Sequence, residues 1–228
     1  MPKLKVGLHL VLVEGAPASP PDAIPDLVDG SGALRSDMAG LGVALLRPRV
    51  RRQLECEIAA QFEAFARTGL ELDHVNAHKH FHLHPLVASS VIAIGRRFGM
   101  RALRVPDEPL ARISACEPQA RGVPKLPRLW LAVLRGRARR ARLATADRTF
   151  GNAWSGAMTA DRLAYLVSDV PEGLTEIYTH PATRSGFAGA ANGYRYAEEL
   201  GALTSPAVIA RLRATNATIG GYADARAA

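Results

Sequence analysis

Short apolar runs alternate with longer amphipathic stretches along the chain. Residues 4–12 form a largely apolar run that predicts a strand, and after Val50 the apolar side chains recur with helical spacing until Gly69 supplies a stop. The same alternation predicts strands at residues 74–77, 102–105 and 174–179, and helices at residues 85–97, after Thr159 and after Ser205. Strands that alternate with helices predict a parallel α/β fold, in one domain that covers residues 1–228.

Histidines collect at the ends of three predicted strands. Five of the seven histidines lie within residues 74–84, while His9 ends the first apolar run and His180 ends the last predicted strand. In parallel α/β folds, chemistry gathers at the carboxyl ends of the strands. Imidazole is both the commonest metal ligand and a group that titrates near neutral pH. This placement therefore indicates a metal-assisted acid/base site.

Spacing within the histidine run limits which imidazoles share one ion. In a single extended strand, His78 and His82 would lie about 13 Å apart at the backbone, which is too far for comfortable co-ligation. Either the chain turns after His78, which Pro85 encourages, or the second imidazole comes from another strand, and we favour His9 in that role. Two histidines still need a third ligand, usually a carboxylate, and the sequence does not make it obvious.

Composition excludes several classes of protein. The chain has 228 residues and is 48% hydrophobic, which is enough for one substantial core. Cys56 and Cys116 form no CxxC pair, so neither a thiolate metal site nor a disulfide framework is favoured. No apolar run approaches the ~18 residues that span a bilayer. We therefore expect a cytoplasmic protein.

The net charge is concentrated in one segment. Residues 121–148 contain nine basic residues and one acidic residue, an excess that equals the whole net charge of +8. Apolar side chains that include Trp130 precede the arginines, a composition typical of a helix on an anionic surface. A solvated surface helix is the favoured interpretation, and peripheral contact with the inner face of a membrane through residues 125–143 is the second. Nucleic acid is not expected, because no recognisable nucleic-acid module accompanies the segment.

Three sequence blocks resemble the signature blocks of a known family. They are residues 7–10 (GLHL), 73–85 (DHVNAHKHFHLHP) and 176–181 (EIYTHP), and they look like those of the YdjC-like carbohydrate deacetylases, the ChbG/HpnK family. The nearer similarity is to the HpnK branch, which is associated with hopanoid biosynthesis, judging by residues 7–15, 75–82 and 154–159. The resemblance implies a distorted (β/α) barrel of the glycoside hydrolase/deacetylase type and a divalent metal, Mg²⁺ or Zn²⁺. It also implies hydrolysis of an N-acetyl group on an amino sugar or glycolipid, such as a glycosylated hopanoid.

The resemblance also implies roles for individual residues. His9 and His78 match the family's metal-binding histidines, and His180 matches a histidine that protonates the departing amine. The other candidates would face the substrate or support these groups: His80, His82, Glu176 and Tyr178. Independently of the resemblance, Arg104 ends a predicted strand, where binding of substrate and pairing with a core carboxylate are equal alternatives.

The chain departs from the family pattern at its start. Family members begin with a strand that ends in an Asp-Asp pair, which supplies a metal ligand and a general base, and no such pair occurs in this sequence. One or two βα units of roughly 30 residues each would precede Met1, so we expect a barrel that is incomplete at the N-terminus and a fragment of a longer active enzyme. The alternative is a genuinely shorter protein, in which Glu14, Asp73 or Asp107 substitutes for the carboxylate. Asp73 is disfavoured because it lies on the opposite face of its strand from His78.

Three classes of function follow from these observations. The first is a metal-dependent carbohydrate N-deacetylase, and the second is a catalytically inactive relative that binds metal or sugar. The third is a basic protein that binds a membrane surface and whose histidines are incidental. The sequence leaves open the acetylated substrate, the metal and the oligomeric state, for which a homodimer is one option.

Overall fold

The computed structural model describes residues 4–118, 128–187 and 189–224, which divide into two compact units. Unit 1 contains residues 4–105, 128–145 and 220–224, and unit 2 contains residues 106–118, 146–187 and 189–219. The single domain that the sequence predicts stays a prediction. In chain order, the strands and α-helices are β1 (Val6–Leu10), α1 (Met38–Ala44), α2 (Pro48–Ala66), β2 (Leu72–Ala77), α3 (Pro85–Arg97), α4 (Leu110–Cys116), α5 (Arg128–Arg140), β3 (Arg148–Phe150), α6 (Ala160–Val167), β4 (Thr175–Ile177), α7 (Tyr196–Thr204) and α8 (Pro206–Arg213).

Unit 1 is built on the parallel pair of β1 and β2. The pairing register places His9 opposite Asn76 and Leu10 opposite Ala77. Leu103 forms a parallel bridge to the other side of β2, and Ala102 forms one to Ala144. The predicted strand at residues 102–105 is therefore reduced to isolated bridges.

The apolar face of α2 explains how unit 1 acquires a core. Leu54, Ile58 and Phe62 recur at four-residue spacing and are almost completely buried, in one cluster with Leu10 and Val91. Burying one such side chain contributes about 1.5–3 kcal/mol relative to leaving it exposed. This core fixes the position of the strands, and the predicted site residues follow at the strand ends.

Unit 2 repeats the parallel arrangement on a smaller scale. β3 pairs with β4, and the register places Thr149 opposite Glu176. Helices α6, α7 and α8 pack against one another, and their apolar side chains form a cluster with Phe150 and Trp154. The Thr159 hydroxyl accepts a hydrogen bond from the Arg162 N–H at 3.4 Å, as predicted for a cap at the start of this helix.

The structure thus shows a mixed α/β fold with small sheets. The described strands form two separate two-stranded sheets, and the closed barrel stays a prediction. After β2 the chain enters a 3-10 helix, His78–Leu83, in which Lys79 and His80 have φ of 50° and 54°. The chain therefore turns immediately after His78. Within the described ranges, every helix is too short or too polar to cross a membrane.

A partly exposed ion pair links the end of α4 to α6 in unit 2. Arg162 donates from Nε to Glu117 Oε1 at 2.8 Å and from Nη2 to Glu117 Oε2 at 3.0 Å. The indole N–H of Trp154 donates to the same carboxylate at 3.3 Å. The hydrogen bonds from Arg162 hold the pKa of Glu117 below its usual value of 4.5.

We expect Glu117→Gln to destabilise the protein at neutral pH but not in acid. Because the pKa of Glu117 is lowered on folding, its contribution is fully present above the unfolded pKa and is lost as the pH falls through the folded pKa. Its side chain is 37% exposed, so the loss at pH 7 should be below about 1 kcal/mol. Urea unfolding from pH 7 down to pH 3 measures the difference, with Glu172→Gln as the charge-matched control. If the loss in free energy of unfolding caused by Glu117→Gln became larger as the pH fell, this account would be wrong.

Candidate active site

The first group of predicted site residues lies at the carboxyl end of the sheet in unit 1. His9 is near the end of β1, and His78 follows β2 directly. The centroids of their rings are 5.9 Å apart, and the ring planes are nearly perpendicular. Because the two strands are parallel neighbours, their carboxyl ends meet at one edge of the sheet. Two imidazoles are thereby brought together from separate strands.

Asn76 sets the orientation of the His9 ring. Its Oδ1 forms a short hydrogen bond with His9 Nδ1, and the pairing register of β1 and β2 places the two residues opposite each other. An amide oxygen is only an acceptor, so this contact places the ring proton on Nδ1 and the lone pair on Nε2. Such a partner commonly fixes the tautomer of a metal-binding histidine.

Glu14 supplies a carboxylate beside His78. Its Oε2 lies 3.7 Å from His78 Nε2, and its Oε1 accepts from the Lys79 ammonium at 2.5 Å. The hydrogen bond from Lys79 lowers the pKa of Glu14, which is therefore ionised at neutral pH. Glu14, Lys79 and His80 all have positive φ. Such backbone strain in non-glycine residues clusters at functional sites.

The three carboxylates that the sequence offered as substitutes have different surroundings. Asp73 accepts from the backbone N–H groups of Tyr222 and Ala223 and pairs with His74. Burial raises the pKa of Asp73, but these hydrogen bonds outweigh it and lower the pKa overall. Asp107 belongs to unit 2. Glu14 is the candidate for which a contact with a predicted metal ligand, His78, is observed.

These donors fit a divalent ion in their chemistry. Two imidazoles and one carboxylate are the ligand set of many catalytic zinc sites. As the side chains stand, no three histidine, cysteine, aspartate or glutamate residues within the described ranges are grouped to hold an ion. The metal roles of His9 and His78 stay predictions.

The other site candidates in unit 1, His80, His82 and Arg104, differ in how deeply they are buried. His82 is completely buried, and its Nε2 donates to the backbone carbonyl of Arg104 at 2.8 Å. Arg104 itself is 8% exposed. The rings of His80 and His82 have centroids 6.2 Å apart, and His80 is only partly buried. His82 and Arg104 therefore belong to the packed interior of unit 1, and a direct role for either in substrate contact stays a prediction.

The second group of predicted site residues lies in unit 2 around His180. The backbone N–H of His180 donates to Glu199 Oε2, and Met158 N–H donates to Glu199 Oε1 at 2.9 Å. The same Oε2 lies 3.9 Å from His180 Nδ1. Glu199 is 0% exposed, so α7 places a buried carboxylate that accepts from the backbone of His180 and lies near its ring.

Aromatic rings surround His180. The ring centroids of Tyr178 and Tyr194 lie 5.7 Å and 5.0 Å from that of His180, and the Tyr194 hydroxyl hydrogen bonds with Ser155 at 2.8 Å. Gly151 permits the close approach of this segment, since a Cβ there would lie 2.4 Å from the carbonyl oxygen of Tyr178. Aromatic faces and hydroxyl groups of this kind suit a sugar ring. Glu176 lies on β4 with its Oε2 3.4 Å from the Thr149 hydroxyl.

Sequence reasoning missed three of these residues. Asn76 lies within the histidine block, but its role depends on the cross-strand register. Tyr194 comes from a segment for which no element was predicted. Glu199 did carry a signal, because Tyr196, Glu199 and Ala202 recur every three residues and are all buried. A charged residue on the buried face of a helix indicates a structural or functional partner.

Comparisons with known proteins identify the family of this chain. A family model described as YdjC-like protein matches residues 1–214. A carbohydrate deacetylase from Geobacillus stearothermophilus is 29% identical over 214 residues, which cover 92% of this chain and 72% of that protein. A chitooligosaccharide deacetylase from Yersinia pestis is 35% identical over 99 residues, which cover 42% of this chain but only 36% of that protein. A solved structure of a candidate cellobiose-phosphate cleavage protein from Enterococcus faecalis has a TM-score of 0.71 at 20% identity, covers 98% of this chain and 78% of that one, and shows the fold alone.

Proposed function

Because this chain belongs to the YdjC-like protein family, we propose that it is a carbohydrate N-deacetylase, a hydrolase that cleaves the acetamide bond of an amino sugar. The observation that carries the proposal is the pair of His9 and His78, with ring centroids 5.9 Å apart and His9 oriented by Asn76. Relatives named carbohydrate deacetylase and chitooligosaccharide deacetylase support the substrate class.

In this proposal His9 and His78 hold a divalent ion, and Glu14 is the carboxylate that joins them. When bound, such an ion lowers the pKa of a water molecule and polarises the acetyl carbonyl. Imidazole ligands suit zinc, whereas carboxylate and water ligands suit magnesium. The position of Glu14 beside His78 supports its part in the ligand set.

His180 is the proposed general acid of the reaction. Amide cleavage requires a proton on the departing nitrogen, and a positioned side chain that supplies it contributes about 10²- to 10⁴-fold. Glu199 supports this role because it accepts from the His180 backbone and lies 3.9 Å from the ring nitrogen. The aromatic rings of Tyr178 and Tyr194 would flank the sugar.

The branch of the family and the substrate can also be proposed from the sequence. Similarity in residues 7–15, 75–82 and 154–159 supports the HpnK branch, and with it an N-acetylated hopanoid glycolipid as substrate. A lipid substrate would be consistent with peripheral contact at the membrane surface through residues 125–143, the arginine-rich segment.

Acetate release by the purified chain tests the proposal. The chain is loaded with zinc or magnesium and supplied with N-acetylglucosamine, di-N-acetylchitobiose or an N-acetylated glycolipid, and acetate and free amine are measured together. We expect the two products in equal amounts and no release after chelation. His180→Gln should slow release about a hundredfold while the bound metal is retained.

Two outcomes would replace this proposal. A metal-loaded chain that binds the acetylated sugars without releasing acetate would be a non-catalytic relative. A chain that binds no metal, and that is unchanged by replacing His9, would be a surface-binding protein whose histidines are incidental.

We expect Asn76→Ala to weaken binding of the divalent ion about 10- to 100-fold, as removal of a residue that orients a metal-binding histidine commonly does. The loss arises because the His9 ring no longer has its Oδ1 partner. Isothermal titration with zinc measures the affinity without reference to activity. Asn76→Asp keeps an acceptor at the same position and should retain most of the affinity. Equal affinity of Asn76→Ala and the unchanged chain would show that this contact does not orient a ligand.

A further inference from the structure

The hydrogen bond between His9 and Asn76 continues into a longer chain of contacts within unit 1. Nδ2 of the Asn76 amide lies 3.4 Å from Nε2 of His74. On the other side of that ring, His74 Nδ1 lies 2.9 Å from Asp73 Oδ2. Asp73 and Asn76 are buried, and the His74 side chain is 19% exposed. Four consecutive side chains thus connect β1 with the interior of β2.

Donors and acceptors match at every step of this chain. A carboxylate accepts, so His74 donates from Nδ1 to Asp73. In a neutral imidazole the second nitrogen is then an acceptor, and the Asn76 amide nitrogen, which only donates, faces it. Oδ1 of Asn76 is left to accept from His9 Nδ1. All the hydrogen bonds therefore run in one direction, from His9 through Asn76 and His74 to Asp73.

The position of the His74 ring is fixed by its neighbours. Tyr222 stacks on the ring, with centroids 4.9 Å apart and ring planes 28° apart. A Cβ on Gly7 in β1 would lie 2.5 Å from His74 Cε1, so the ring packs directly on the glycine backbone. A glycine inside a strand often marks such a close approach. Gly7 is therefore an independent sign that this strand accommodates the His74 ring.

Asp73 is held in turn by residues 220–224. Its Oδ2 accepts from Tyr222 N–H and its Oδ1 from Ala223 N–H, each at 3.1 Å. These two bonds attach residues 220–224 to β2. They do not account for the third bond, which Asp73 accepts from His74. That bond sets which nitrogen of His74 faces Asn76.

We propose that Asp73 and His74 are positioning residues for His9 and that they act through Asn76. An amide side chain has two orientations of nearly the same shape, and only one of them presents Oδ1 to His9. The acceptor nitrogen of His74 favours this orientation, because it pairs with Nδ2. His9 then keeps its proton on Nδ1, and Nε2 is the nitrogen with which it binds an ion. This inference rests on the proposed metal role of His9.

The tautomer of His9 tests the proposal without any metal. Nitrogen-15 NMR of the metal-free full chain at about pH 8, where a free imidazole is neutral, distinguishes Nδ1–H from Nε2–H. The signals of His9 are identified by their absence from His9→Gln. We expect Nδ1–H in the unchanged chain and a mixture of tautomers in His74→Leu, because the Asn76 amide can then turn. His74→Gln places a carbonyl oxygen near the position of Nε2 and should restore the single tautomer.

Zinc affinity, measured by isothermal titration, tests whether this orientation matters for metal binding. His74→Leu should weaken the affinity about tenfold, the lower end of the loss seen when a partner of a metal-binding histidine is removed. His74→Gln should recover most of that loss. Asp224→Asn is the control, because Asp224 contacts residues 220–224 through Gly221 and pairs with Lys5. It should change neither the zinc affinity nor the tautomer.

A mixture of tautomers in His74→Leu that His74→Gln reverses supports the proposal, even if the chain releases no acetate. Gly7→Ala, whose Cβ would displace the His74 ring, should give the same mixture and serves if His74→Leu does not fold. In a chain that binds no zinc, the metal role of His9 is wrong and the tautomers alone decide whether Asp73 and His74 position its ring. The proposal is overturned if His9 keeps Nδ1–H when the His74 ring is removed or displaced, or if His74→Gln behaves as His74→Leu does.

Discussion

Replacing His78 by alanine is expected to remove the divalent ion and to lower acetate release roughly a thousandfold, because a Lewis acid contributes several kcal/mol and each 1.36 kcal/mol is a factor of ten. The side chain of His78 is 37% exposed, and the residue comes directly after the largely buried strand β2. Its loss should therefore leave the core of unit 1 intact. Metal content by elemental analysis, acetate release and thermal unfolding are measured on the same preparation.

His84→Leu is the matched control within the same histidine run. The ring of His84 packs against Trp130, and burial lowers the pKa of its imidazole. His84 is therefore neutral at pH 7, and leucine replaces it with similar volume. We expect the variant to keep its metal and its activity. If it lost the ion as His78→Ala does, the run would act as a general histidine cluster rather than through one residue.

Periodicity predicted the long helices of unit 1 well. The helices expected at residues 50–65 and 85–97 correspond to α2 and α3, because their apolar positions recur with helical spacing and most of them face one core. Three shorter helices, α1, α4 and α7, were not predicted. In α1 the glycines at positions 40 and 42 lower helix propensity, and α4 has only seven residues. Tertiary packing, rather than local pattern, decides such elements.

Strand lengths were overestimated for a physical reason. The runs at residues 102–105 and 174–179 are apolar enough for strands, but pairing is confined to single bridges in the first and to Thr175–Ile177 in the second. Backbone pairing depends on the neighbouring strand, which a single run does not specify. The closed barrel, which rests on the family resemblance, stays a prediction for the same reason.

The candidate site was predictable where strand ends carry the chemistry. His9 and His78 were chosen because the carboxyl ends of parallel strands meet, and their ring centroids lie 5.9 Å apart. Contacts that depend on strand register or on segments distant in the chain could not be predicted from the sequence pattern. Asn76 meets His9 across β1 and β2, and Glu199 meets His180 from a helix that begins sixteen residues after it.

Replacing Glu199 by alanine is expected to produce the largest loss of stability among these variants. The carboxylate accepts from the N–H groups of Met158 and His180, and alanine leaves both without this acceptor. Each buried donor left unsatisfied costs about 1–3 kcal/mol, so we expect the free energy of unfolding to fall by about 2–6 kcal/mol. Urea unfolding measures the change.

Glu198→Ala is the control, because the neighbouring carboxylate is exposed and pairs with Arg195 only three residues away. Its loss should change stability by less than about 1 kcal/mol. Glu199→Gln separates stability from catalysis, because it keeps one acceptor oxygen beside His180 while it removes the charge. If Glu199 positions the proposed acid, this variant should lower kcat with little change in KM for a chitooligosaccharide. Equal effects of Glu198→Ala and Glu199→Ala on unfolding would show that the buried carboxylate does not hold this segment.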